Sequence, residues 1–559
     1  MTPEQLSQAV LDTVKAAVAD GALTLTAVPA TVTVERPKNR DHGDYATNVA
    51  LQLTKAAGMP PRALAELLAE RLRKVEGIAG VDIAGPGFLN LKLAAGAAGE
   101  LAKSIVEQGA AYGRSETFAA QIINLEFVSA NPTGPLHLGH TRWAAVGDAL
   151  GRLLEAAGAD VTREFYINDA GNQMNNFGLS LALRASGKEV PSGQGLYEGA
   201  YIKDLAQAIL EEHPVLAQLP EDAQVEAFRT AGYKLQLRLQ QESLEKFRTH
   251  FDVWFSEKTL HESGDVEGVA DRLAEQGHVF EQDGAVWLRT TDFGDDKDRV
   301  IVRSNGERTY FSADCAYYLN KRDRGYSPCI YMLGADHHGY VGRLKAMAAC
   351  SGDDPEKDIE VLIGQFVKMV KDGEEVKLSK RTGNIVSLDD VIEMIGVDAA
   401  RYALARSSVD HELVLDVDLL TTNAPENPVW YIQYAHARMA SVKRNAAELG
   451  FDKGAAEDFK PALLAHPREE ELLAALAEFP RVVAQAAGSR AVHKVAHYLE
   501  DLAGKYHAWQ SEKKDCRILP LGGEAPTDLN RARLWLVEAT QTVLRNGLDL
   551  LGVSAPERM

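Results

Sequence analysis

Two short runs in the chain have the residue types and spacing of phosphate chemistry. The first is His137-Leu138-Gly139-His140, which follows the apolar strand-like run QIINLEFVSA and the turn NPTGP, and opens the helical run HTRWAAVGDALGRLLEAAG. Two imidazoles three residues apart at a helix start lie on one face. Unpaired amides and the positive dipole end there favour phosphate, and Gly139, lacking a Cβ, lets a flat or bulky group approach the backbone. The arrangement suits the α- and β-phosphates of a nucleotide undergoing displacement at phosphorus. The same spacing also fits a structural His pair or a metal site, although no third ligand is apparent nearby.

The second run is Lys377-Leu378-Ser379-Lys380, followed by Arg381-Thr382-Gly383-Asn384. It comes after FVKMVKDGEEVKL, a hairpin pattern with Asp372-Gly373 in the turn. Two lysines bracketing a serine on such a loop could close over a triphosphate and neutralise charge in the transition state. A lysine-rich loop is more often plain solvated surface. Its value here is its distance from HLGH, which suits opposite ends of one nucleotide-binding domain.

The elements that must hold these runs are legible in outline. QIINLEFVSA, the helix and DVTREFYIN read as strand, helix, strand, which implies a right-handed crossover and a parallel sheet. Residues from about 176 to 290 read as a helical, acidic insertion. Sheet-type segments resume at AVWLRTTD, RVIVRS, CIYMLGAD and EVLIGQFVKMV, and from residue 425 the chain reads as successive helices. Residues 1–110 read as an α+β module, with TLTAVPATVTVERP as β structure and RDHGDYATN as a loop. The expected division is therefore 1–110, 111–424 (with a KLSK region over about 360–424) and 425–559.

Composition narrows the classes. Of 559 residues, 45% are hydrophobic and 25% charged, ordinary globular values. No apolar run approaches the roughly 20 residues a bilayer crossing needs, and the N-terminus lacks the pattern of a signal peptide. Four separated cysteines argue against a disulfide framework or a Cys-rich zinc site and for a reducing, cytoplasmic setting. The net charge of −20 is concentrated: residues 111–424 hold 32 basic against 50 acidic side chains, and the two arms are nearly neutral. An acidic centre repels nucleic acid except at chosen points and suits a cationic small substrate.

HLGH followed by KLSK resembles the paired signatures of class I aminoacyl-tRNA synthetases. The runs EFVSANPTGPLHLGHTR, FYINDAGNQMNN, GVDAARY, NPVWYIQYAHAR and NGLDLLGVSAPERM are similar to landmarks of the arginyl-tRNA synthetase family, and the similarity spans nearly the whole chain. The resemblance implies a multidomain α/β fold, with a Rossmann-like parallel-sheet catalytic domain, an α+β N-terminal domain and an all-α anticodon-binding bundle. It implies activation of L-arginine by ATP, with Mg²⁺ on the nucleotide and no zinc, and transfer to the terminal ribose 2′-OH of tRNA(Arg). Bound tRNA is usually needed for the first step, and monomer is the family default. No membrane or DNA partner is implied.

By that resemblance, His137 and His140 hold phosphates and Lys377 and Lys380 stabilise developing charge, with Gly139, Ser379 and Asp336 also at the nucleotide. Glu126 and Asn131 contact the arginine, and Tyr310 and Asp314 complete a guanidinium pocket, as carboxylates and an aromatic face would. His337 joins the substrate or ribose contacts. Glu126 in an apolar strand is costly unless paired, whereas Tyr310 could be a core aromatic. In the bundle, Tyr434, Arg438, Tyr506 and Trp509 are the candidates for tRNA; Trp430, Tyr431 and Tyr498 belong to the same aromatic set, and Asn39, Asp44, Tyr45 and Asn48 are the N-terminal candidates. This chain keeps both loop lysines, and Leu378 stands where Met is commoner. The alternatives are another class I synthetase, an HxGH nucleotidyltransferase, for which the long helical C-terminus would be superfluous, or a non-catalytic tRNA-binding relative, against which the intact signatures argue.

Overall fold

The computed structural model describes residues 1–37, 42–94, 96–376 and 386–559. Its centre is a five-stranded parallel sheet made of β1 (Ile122–Glu126), β2 (Asp160–Ile167), β3 (Val253–Ser256), β4 (Cys329–Gly334) and β5 (Ile359–Gly364). Their spatial order is β5-β4-β1-β2-β3. The direction of winding reverses between β1 and β4, the place where open parallel sheets bind ligands beyond their carboxyl ends.

Helix α1 (Leu138–Ala156) crosses from β1 to β2, and almost its whole length is buried. Gly147 faces Phe127 so closely that a Cβ there would collide with the ring, which lets the helix sit against the sheet. Helix α2 (Glu221–Lys246) belongs to a helical excursion with its own small core, built on Phe177, Leu181, Ile202 and Phe228. The excursion ends earlier than its sequence texture suggests, because the chain rejoins the parallel sheet at β3. Residues 279–302 then form a separate three-stranded antiparallel sheet, so AVWLRTTD and RVIVRS are not strands of the central one. Helix α3 (Tyr310–Asp323) leads into β4.

Beyond β5, β6 (Val367–Lys371) makes an antiparallel hairpin with Glu374–Glu375. Asp372 and Gly373 both have positive φ, as the Asp-Gly turn requires. Helix α4 (Val397–Arg406) then leads to the C-terminal helices α5 (Pro428–Glu448), α6 (Pro467–Gly488), α7 (His493–Ser511) and α8 (Asp528–Leu550).

One continuous core joins the sheet, α1, α4 and these four helices. A second core, from Leu6 to Leu91, belongs to the N-terminal module alone. Helix Glu100–Gln108 contributes Leu101, Ala102 and Ile105 to the first of these cores, so by packing it belongs with the large body and not with the N-terminal module. The β expectation for TLTAVPATVTVERP fails. Among the described residues that stretch makes one bridge, Glu35 to Ala46, and the strand is Tyr45–Thr47, inside the run read as a loop. Among the described residues, no helix is long and apolar enough to cross a membrane.

Candidate active site

A cavity of about 930 Å³ opens at the winding reversal. HLGH forms one wall, the loop after β4 another, the start of α3 a third, and the β5–β6 junction the fourth. His137 is the N-cap of α1: its Nδ1 accepts from the Gly139 N–H at 3.1 Å, and the His140 Nδ1 accepts from the His137 N–H at 3.2 Å. The two rings lie 3.8 Å apart. Burial and the neighbouring ring push the His140 imidazole down to about 3, and desolvation lowers His137 as well. Both rings are therefore neutral at physiological pH. With Nδ1 accepting in each, the ring proton sits on Nε2, ready to donate to an anionic oxygen.

The first-turn amides are less available than the sequence suggests. Leu138 N–H donates to Val386 O at 2.8 Å, Gly139 N–H to the His137 ring, and His140 N–H to His137 O at 2.8 Å. The side chains and the helix dipole, not orphan amides, are what α1 offers a phosphate.

Residues Lys377, Ser379 and Lys380 lie outside the described residues. Their flanks do reach the cavity: Glu375 and Val376 on one side and Val386 on the other line it. His137 and Ser387 form an antiparallel bridge, and Leu388 N–H donates to Leu136 O, so the segment after KLSK is stitched to HLGH.

At the sheet end, Glu126 lines the cavity from β1 and is buried. The apolar context demanded a partner, and the structure supplies Lys321, whose Nζ donates to Glu126 Oε2 at 2.6 Å. Ser129 Oγ donates to Glu126 Oε1 at 3.1 Å and accepts from Tyr166 N–H. Val128 and Ser129 hold φ of 67° and 44°. A β-branched residue there is strained, by about 1–3 kcal/mol, and the hydrogen bonds of Ser129 help hold the loop in place.

Asp314, half-buried on α3, lines the same cavity. Burial and the Glu257 and Glu126 carboxylates push it up to about 7, against a smaller opposing pull from Arg343. Glu257, just beyond β3, is also raised, first by burial. Tyr310 is 83% exposed and lines the cavity, so it is not a core aromatic. Asp336 and His337 are exposed after β4, pair with each other at 3.4 Å and line the cavity. Asn131 is exposed and is not among the lining residues; its carbonyl accepts from the Gln240 side chain of α2 at 2.9 Å. At the β5 end, a Cβ on Gly364 would stand 2.5 Å from the Trp143 ring, so the floor there needs glycine.

In the bundle, Trp430 and Tyr434 stack at 4.6 Å, Arg438 lies over Tyr434 at 5.5 Å, and all three are half-buried. Tyr506 and Trp509 are a correction to the expected RNA contacts. Both have no exposed surface and sit in the main core, so neither can stack on a base. Tyr498 is buried in the main core and Tyr45 in that of the N-terminal module, Asp44 accepts from the Leu93 N–H, and Asn39 lies outside the described residues. Sequence reading missed Lys321, Ser129 and Glu257. The first had a signal, because Tyr310, Asp314, Tyr317 and Lys321 recur at i, i+4, i+7 and i+11, one face of a helix.

A parallel sheet in this order, with a cavity at its winding reversal, is the frame of a nucleotide-binding α/β domain. Residues 102–424 match the family described as "tRNA synthetases class I (R), catalytic domain", residues 4–93 "Arginyl tRNA synthetase N terminal domain", and residues 432–559 "DALR anticodon binding domain". The chain is 58% identical to the arginine–tRNA ligase of Renibacterium salmoninarum and 56% identical to that of Paenarthrobacter aurescens, in each case over 100% of both chains. Its fold resembles Thermus thermophilus arginyl-tRNA synthetase, with a TM-score of 0.74 and 24% identity, covering 100% of each chain. The chain belongs to the arginyl-tRNA synthetase family.

Proposed function

We infer that this chain is an arginine–tRNA ligase whose chemistry runs in the cavity between HLGH and α3. It uses ATP, arginine and tRNA. In the first step, an arginine carboxylate oxygen attacks the α-phosphorus in line. The bond to the bridging oxygen breaks, pyrophosphate leaves with that electron pair, and arginyl-adenylate stays bound. His137 and His140 donate Nε2–H to phosphate oxygens as neutral donors. Gly139 admits the nucleotide, Asp336 and His337 take the ribose side, and Lys377, Ser379 and Lys380 close on the leaving pyrophosphate. A magnesium ion carried with the nucleotide would shield the charge of its triphosphate.

At the other end, Glu126 meets the amino-acid head and Asp314 and Tyr310 serve the guanidinium, with Glu257 acting through its charge on Asp314; Asn131, which does not line the cavity, is left out of the pocket. In the second step, the terminal 2′-OH of tRNA(Arg) attacks the adenylate carbonyl and AMP leaves. The half-buried Tyr434 and Arg438 are the bundle's candidates for tRNA, the N-terminal module contacts tRNA as well, and the protein works in the cytoplasm without a membrane or DNA partner. The observation that carries the reading is one cavity with neutral imidazole donors on one wall and mutually repelling carboxylates on another. A tRNA-charging assay with labelled arginine tests it. His140→Ala should lower the rate of adenylate formation about 10²-fold; an unchanged rate would remove HLGH from the chemistry.

A further inference from the structure

We propose that Lys321 is a positioning residue of the amino-acid pocket and acts through Glu126; this rests on the assignment of Glu126 to arginine. Lys321 has no exposed surface. Its Nζ lies 2.6 Å from Glu126 Oε2, 3.9 Å from the Tyr331 ring centre and 4.4 Å from that of Tyr317. Burying an ammonium costs several kcal/mol unless it is well paired, so three side chains from β1, β4 and α3 are committed to it.

The sheet register gives the reason. Tyr331, Glu126 and Glu164 are direct neighbours across β4, β1 and β2. Two carboxylates therefore stand side by side, an arrangement that destabilises a sheet unless cations intervene. Glu164 is fully matched: Arg324 donates to both its oxygens at 2.6 and 2.9 Å, Tyr317 Oη donates at 2.6 Å and Asn124 Nδ2 at 3.0 Å. Among the described residues, Glu126 receives one donor on each oxygen, Lys321 on Oε2 and Ser129 on Oε1. Lone pairs remain on both, and the carboxylate lines the cavity. Lys321 and Ser129 thus pin Glu126 from two sides and leave its remaining acceptor capacity for a cationic ligand.

The charged or titratable groups around Glu126 are Lys321, Tyr317 and Asp314 from α3, Tyr331 from β4, and Glu164 and Tyr166 from β2. Lys321 is the cation bonded to Glu126. Without it, Glu126 would lose its anchor on Oε2 and could turn toward Arg324, which weakens arginine binding.

The test is ATP–pyrophosphate exchange on the full chain with tRNA present, for Lys321→Met, Lys321→Arg, Glu126→Gln and the Glu126→Gln/Lys321→Met double variant, with melts as a fold control. Lys321→Met should raise the arginine KM about tenfold or more and leave the ATP KM within about twofold. Lys321→Arg should recover part of the loss. In the Glu126→Gln background, removing Lys321 should add nothing, because two residues acting as one are non-additive. A folded Lys321→Met with the parent arginine KM would overturn the proposal. So would a double variant with a higher arginine KM than Glu126→Gln, a comparison that holds even if Lys321→Met alone fails to fold. Glu126→Gln with the parent arginine KM would instead overturn the pocket reading itself.

Discussion

Acidification should switch off arginine use through Asp314. In the free protein this carboxyl sits at about 7, because burial and the Glu257 and Glu126 charges disfavour its ionised form. A guanidinium needs the ionised form, so binding and proton release are linked. With that midpoint, the ionised fraction is about nine-tenths at pH 8 and about one-tenth at pH 6, so kcat/KM for arginine should fall roughly tenfold between them. The charge of arginine itself is constant over this range, whereas the γ-phosphate of ATP titrates, so saturating ATP and a separate ATP KM are the controls. Asp314→Asn should flatten the limb while raising the arginine KM. The same shift has a stability sign. Between the ordinary carboxyl range and about 7 the folded state holds the extra proton, so stability falls as pH rises through that window. Asp314→Asn removes that fall, and its Tm at pH 8 should exceed the parent's. An arginine kcat/KM that is flat from pH 6 to 8 in the parent, or an equally steep limb in Asp314→Asn, would refute the reasoning.

Three further outcomes follow. Lys380→Ala should slow adenylate formation by about 10²-fold with little change in arginine KM, the mark of a contact made in the transition state; single-turnover kinetics read it. Trp509→Ala should cost about 3–5 kcal/mol of stability in denaturant titration, as for any fully buried tryptophan. Tyr434→Ala should leave the melt nearly unchanged and raise the KM for tRNA in charging assays. Point variants are preferable to deleting residues 425–559, since that bundle shares one core with the catalytic sheet and its removal would expose that core.

The parts that the sequence made legible are those governed by local periodicity. Residues 122–167 announce strand, helix and strand because apolar spacing switches from run to residue-in-four, and Asp372-Gly373 announces its hairpin by turn chemistry. β3 was hidden because four residues, Val253–Ser256, carry too little pattern to stand out from the helices before them. The run from Thr24 to Pro37 has β-branched residues at strand-like spacing, yet only Glu35 finds a bridge partner. The site divides in the same way. Glu126 demanded a partner, but which cation met it depends on α3 docking across β1 and β4. The positive φ of Val128 and Ser129 could not be foreseen, because neither residue is one that favours that region. Aromatic content alone could not separate Tyr434, on the half-buried side of α5, from Trp509, which the bundle encloses.

We propose that the Asp314 carboxylate on α3, beside Tyr310, selects a guanidinium for activation in front of HLGH. ATP–pyrophosphate exchange, run with each standard amino acid in turn and with and without tRNA(Arg), tests it most directly. Exchange should occur with arginine alone, depend on the tRNA, and be lost in Asp314→Ala at arginine concentrations that saturate the parent. Exchange driven by lysine or a neutral amino acid, or arginine exchange indifferent to Asp314, would contradict it.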